Sequence, residues 1–66
     1  MTVTDVIAAV GEVRAIAHDD EAAHSREDAL YERVLRAISE NACADPAGCA
    51  REALKTAEIS FARWGA

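Results

Sequence analysis

Apolar residues recur along the chain at three- and four-residue steps in three separate runs, the spacing of helices that each bury one face. In the first run Val6, Ala9, Val10, Val13, Ile16 and Ala17 fall on one stripe, which Ile7 widens to about half the helix circumference. Thr2-x-x-Asp5 stands in front of it as a capping-box start. The second run, Leu30, Tyr31, Val34, Leu35, Ala37, Ile38 and Ala42, is a broad arc rather than a seam, which implies contact with two neighbours. The third opens with Asp45-Pro46, an N-cap followed by proline at the first helical position. Its stripe is Ala50, Ala53, Leu54, Ala57, Phe61 and Trp64. Ile59 breaks that pattern, because it falls about 180° round the helix from Ala50, on the polar side with Glu52, Lys55 and Arg63.

No run alternates with period two, so no strand is expected. The pattern predicts an all-α fold in a single domain spanning 1–66, with helices at about 3–17, 20–42 and 46–64. They would form a small three-helix bundle, or a helical-hairpin-like protomer that completes its core in a dimer. Neither Gly nor Pro occurs between Glu12 and Ala44, so the first two runs also fit one long bent helix. Asp19, Asp20 and Ser25, the last with Asp28 three residues on, are all candidate caps for the second run. Gly11 weakens the first helix by roughly 1 kcal/mol relative to Ala.

Composition qualifies this picture. Of the 66 residues, 16 are Ala, and only 16 are apolar side chains larger than Ala or Cys. Alanine favours helix but fills little volume. A chain this short buries only about 60% of its unfolded surface. A thin core in a small scaffold favours a second copy or a partner protein to complete the burial.

The net charge of −5 is concentrated. Residues 18–32 hold Asp19, Asp20, Glu21, Glu27, Asp28 and Glu32 against Arg26, while acids and bases balance over the rest of the chain. Such a chain lacks the basic face that phosphate neutralisation needs, so direct nucleic-acid binding is not expected. The same segment suits a basic protein surface. MTVTDVIAAV has no basic n-region, and no apolar run approaches the roughly 20 residues of a membrane span. A cytoplasmic protein with reduced cysteines and no membrane association is the expectation. Six Arg against one Lys, together with the 16 Ala, is the codon bias of a GC-rich genome. In composition the whole chain resembles small Ala/Arg-rich orphan proteins of actinobacteria and their phages. That resemblance implies a modulator of a host protein and assigns no residue a role.

The candidate chemistry is concentrated in HDDEAAHSREDALYERV, residues 18–34. On one helix Asp20, His24, Asp28 and Glu32 follow at steps of four and form a ladder. A histidine among carboxylates could act as acid, base or metal ligand, whereas an exposed ladder is an ordinary solvated face. Cys43 and Cys49 with His18 and His24 have the inventory of a zinc site without its spacing. His24 and Cys43 on a single helix would stand about 28 Å apart. The two cysteines could pair in a disulfide, or serve as small apolar residues at a helix corner. Phe61 and Trp64 close the third stripe, and with Arg63 and Ile59 they are candidates for an interface. No glycine-rich phosphate loop occurs, and no serine has a base at hydrogen-bonding register.

These features describe a small acidic helical module for protein–protein interaction, non-catalytic and without a cofactor. It would either self-associate, with a dimer favoured, or bind another protein with a basic surface. The partner residues expected from the sequence are Asp19, Asp20, Glu21, Asp28, Glu32, Ile59, Phe61, Arg63 and Trp64. Two further readings follow from the carboxylates. In one, an oligomer assembles facing Asp20/His24/Asp28/Glu32 ladders into a metal site. In the other, the acidic segment mimics nucleic-acid phosphates and inhibits a DNA-binding protein.

Overall fold

A computed structural model describes residues 1–63 of the chain; the expected interface residue Trp64 lies outside the described residues. Three helices, α1 (Val3–Ala15), α2 (Asp20–Ser39) and α3 (Pro46–Ala53), each pack against the other two, and α3 runs on into a 3-10 segment, Leu54–Glu58. The fold is a small all-α bundle.

Each helix begins where a side chain can satisfy the free N–H groups of its first turn. Thr2 caps α1 by accepting from the Asp5 N–H at 3.2 Å, and the Asp5 carboxylate accepts from the Thr2 N–H at 2.8 Å, which completes the capping box. Asp19 caps α2, its Oδ1 accepting from the Ala22 N–H at 3.1 Å. Asp45 caps α3 through the Gly48 N–H at 3.0 Å, with Pro46 in the first turn.

The first two runs do not form one long bent helix. The chain leaves helical geometry after Ala15, turns through 16–18, and restarts at the Asp19 cap. Residues 16–18 contain neither Gly nor Pro, and Asp19 supplies the break because its extended backbone and carboxylate together begin a new helix. The end of α2 was expected near residue 42 and comes at Ser39. Asn41 takes a left-handed conformation (φ 55°), and the amides of Asn41 and Ala42 donate to the carbonyls of Ile38 and Ala37. This is a Schellman closure with Asn in the place that Gly more often fills.

The core joins Val6, Val10 and Val13 of α1, Ala23, Leu30 and Val34 of α2, and Cys49 and Ala53 of α3. Ile59 and the Thr56 side chain complete it from the C-terminal segment. The start of the chain closes the α2–α3 connection, since the Met1 ammonium donates to the Ala42 carbonyl at 2.7 Å and the Met1 carbonyl accepts from Ala44 N–H at 3.0 Å.

The largest departure from the sequence reading lies after Ala53. A regular helix to 64 was expected, with Ile59 on its polar side. Instead the helix tightens into the 3-10 segment, and Ile59 is extended and buried. The Thr56 hydroxyl donates to the Ala53 carbonyl at 3.1 Å, a local bond that competes with helix continuation. Once the helix has ended, a helical wheel no longer assigns faces, and Ile59 turns into the core while Leu54 stands 63% exposed.

Candidate functional site

The acidic segment of α2 is not one solvated face. Glu27 lies at the 4-3-4 spacing Ala23–Glu27–Leu30–Val34 and shares their buried stripe, with only 4% of its surface exposed. A carboxylate at such a position needs a partner, and Arg63 supplies it. The Arg63 Nε donates to Glu27 Oε1 at 2.9 Å and its Nη2 to Oε2 at 3.0 Å, a bidentate pair. Arg63 Nη2 also donates to the carbonyls of Thr56 at 2.7 Å and Ile59 at 3.1 Å, and its guanidinium stacks 3.8 Å from the Phe61 ring centroid. Beside the pair, the Tyr31 and Thr56 hydroxyls are hydrogen-bonded. Among the described residues no buried side-chain nitrogen or oxygen lacks a partner.

Burial alone would raise the Glu27 pKa, but the hydrogen bonds from Arg63, with the nearby Thr56 hydroxyl and the Arg63 charge, outweigh it and hold the carboxyl below its ordinary value. The hydrogen bond to Glu27 correspondingly raises Arg63, against the effect of burial. This clamp fastens the C-terminal segment to α2. Ala62 N–H adds a second fastening at Asp20 Oδ1, 3.0 Å away. Ile59 and Arg63, candidates for an interface, and Phe61, expected to close the apolar stripe of the third helix with an interface as its alternative, are parts of the intramolecular closure: Ile59 is buried, and Phe61 and Arg63 are half-buried. Arg63 was grouped with the polar residues of a third helix because its partner is 36 positions away in the chain.

The remaining ladder residues have separate partners. His24 Nε2 lies 3.4 Å from Asp28 Oδ2, an ion pair when the imidazole is protonated. Asp20 holds Ala62, and Glu32 pairs with Arg36 at 2.7 Å on the helix surface. Asp19 is consumed as a cap, and Glu21 is exposed. Among the described residues no three His, Cys, Asp or Glu side chains are grouped so as to hold a metal ion. Cys43 and Cys49 are free thiols at the α2–α3 corner, half-buried and buried respectively. The hydrogen bond with Cys43 and burial push the Cys49 thiol up, which keeps it protonated.

The feature that the sequence did not single out lies further along α2, beyond the Glu27–Arg63 clamp. Tyr31, Val34, Leu35, Ala50, Ala53 and Leu54 line a groove of about 270 Å³ between α2 and α3. Leu35 and Leu54 are 68% and 63% exposed. Both were expected in the core, and the broad apolar arc of α2 was the available signal: α1 and α3 cover only part of it. At the groove's α2 edge, Tyr31 and Leu35 also border a shallow trough with Asp28, Glu32, Arg36 and Ser39. No helix among the described residues is long and apolar enough to cross a membrane. Comparison of the chain with protein families, curated proteins and solved structures gives no match.

Proposed function

We propose that this chain is a non-catalytic binding module that docks onto another protein chain through the apolar groove between α2 and α3. The observation that carries this reading is the exposure of Leu35 and Leu54 on either side of a groove whose lining is wholly apolar. Two large leucines at adjoining positions are a patch rather than scattered surface residues, and such patches mark contact sites. The groove has no convergent polar groups to orient a small substrate, since the Tyr31 hydroxyl is turned to Thr56. The carboxylates give less support to phosphate mimicry, because Glu27 and Glu32 are paired with arginines and Asp19 is a cap.

The test compares the wild type with a Leu35→Glu/Leu54→Glu double variant and with Ile7→Glu, which alters an exposed residue of α1. Light scattering over a concentration series and affinity capture from the native host are the readouts. The expected result is an assembly that the double variant loses and Ile7→Glu keeps. Equal behaviour of all three proteins removes the groove as the binding surface.

A further inference from the structure

Building on that reading, we propose that the occupant of the groove is an amphipathic helix from a partner with a basic flank, its leucine-sized side chains in the groove and its Lys or Arg residues against Asp28 and Glu32. A groove of about 270 Å³ suits a few side chains presented in a row. A helix offers such a row at positions i, i+3, i+4 and i+7. An added β-strand would need a sheet edge to pair with, and the described residues contain no strand.

Charge selects among possible helices. The groove and the trough with Asp28 and Glu32 share Tyr31 and Leu35, so an occupant of the first lies alongside the second. Glu32 is paired there with Arg36 and Asp28 lies beside His24, but both carboxylates stay 68% exposed and Arg36 is the one base lining the trough. One turn or two further toward the start of α2, on the same side, Asp20 and Glu21 border a small depression with His24. The edge is therefore net acidic along its length. A second copy of the chain brings the same acidic edge and the same net charge of −5, which opposes the pairing of α2 with its symmetry mate. A basic helix gains from both the apolar floor and the acidic edge.

The probe is a synthetic amphipathic helix with leucines at i, i+3, i+4 and i+7 and lysines along the flank. Its controls are the same leucine pattern with glutamates and a lysine peptide of equal composition in scrambled order. Binding is measured by titration calorimetry at two salt concentrations. The lysine helix is expected to bind the wild type, and both controls to fail. Leu35→Ala should weaken binding about tenfold, the value of one well-packed anchor side chain. Asp28→Asn/Glu32→Gln should weaken it about threefold and flatten its salt dependence, as expected for charges at a solvated edge. These residues are exposed, so circular dichroism melts of the variants should match the wild type.

Glutamate and lysine helices that bind equally would overturn the basic partner and leave the groove reading intact. A wild type that ignores all peptides but dimerises, with Leu35→Glu dispersing the dimer, would overturn it in favour of a second copy. Peptide binding unaffected by Leu35→Ala would overturn both the occupant and the groove.

Discussion

Glu27 and Leu35 sit two turns apart on α2 and have exchanged the places that their chemistry would assign. The carboxylate is 4% exposed and the leucine 68% exposed. Glu27 tolerates the interior because this chain brings it a bidentate arginine, whereas Leu35 borders α3 across the groove and is left uncovered. The comparison separates two kinds of exception to the rule that apolar residues go inside. A buried charge points to a partner within the molecule, and an exposed apolar pair points to one outside it.

The comparison is tested most severely by two leucines on the same helix. Leu30 is 2% exposed in the core, so Leu30→Ala removes a buried side chain and leaves a cavity, at a cost of about 3 kcal/mol. For a domain this small that is a large share of the total stability. Leu35→Ala should stay within about 0.5 kcal/mol, as for other surface substitutions. Urea denaturation of the isolated protein measures both. If Leu35→Ala were as destabilising as Leu30→Ala, the groove would be part of the core rather than an exposed surface.

Arg63 is the next point of attack. Arg63→Met leaves Glu27 buried without its partner, and the expected loss is about 2 kcal/mol, below the usual range for a broken buried pair because Arg63 is itself 32% exposed. Adding Glu27→Leu should restore most of that loss, since an apolar pair of similar volume avoids the desolvation of both charges. A double variant as unstable as Arg63→Met would mean that the hydrogen bonds to the Thr56 and Ile59 carbonyls, and not the ion pair, hold the tail. The pair also sets a pH dependence. The native Glu27 pKa lies below its ordinary value, so its stabilising contribution is present above the ordinary Glu range near pH 4.3 and is lost as pH falls through the native value. Urea midpoints should therefore drop more steeply below about pH 4.5 in the wild type than in Glu27→Gln.

The same pair of residues marks how far the sequence could be followed. The starts of α1 and α3 were legible because Thr2, Asp5, Asp45 and Pro46 act on their immediate neighbours, and local chemistry is visible in local sequence. The buried stripe of α2 was legible at Leu30 and Val34. Glu27 continues that stripe at helical spacing, so its burial could have been read from position alone, had charge not placed it with Asp19, Asp20 and Glu21. The end of the third helix could not be read in this way. It depends on Thr56 bonding back to Ala53 and on Arg63 reaching a residue 36 positions away, and neither is a periodic signal. Ile59 lies beyond the end of the helix, so helical spacing does not give the side it faces. For the candidate site, the ladder Asp20, His24, Asp28 and Glu32 is present as a register, but only His24 and Asp28 pair within it, while Asp20 holds Ala62 and Glu32 holds Arg36. The groove was hidden in the excess width of the α2 arc, which Leu35 supplies.

The smallest effects come from two glycines, and they apply the same distinction between inner and outer surface to the backbone. Gly11 is exposed in the middle of α1, and a methyl group added there would meet nothing within 4 Å. Gly11→Ala should therefore stabilise the protein by about 1 kcal/mol through helix propensity alone. Gly48 is buried in the first turn of α3, where a Cβ would stand 2.8 Å from Asp45 Cγ and 3.0 Å from Val3 Cγ2. Its carboxylate cap would have to swing away, so the loss of the cap opposes the gain in propensity. Gly48→Ala should leave the protein about 1 kcal/mol less stable, and Asp45→Ala should abolish most of the difference between Gly and Ala at 48, because the displaced cap is then already missing. Thermal melts of the four proteins measure this coupling. A Gly48→Ala variant stabilised like Gly11→Ala would show that the junction of α1 with the start of α3 has room to relax, and that the closure of the bundle at the N-terminal end is looser than its clamped C-terminal end.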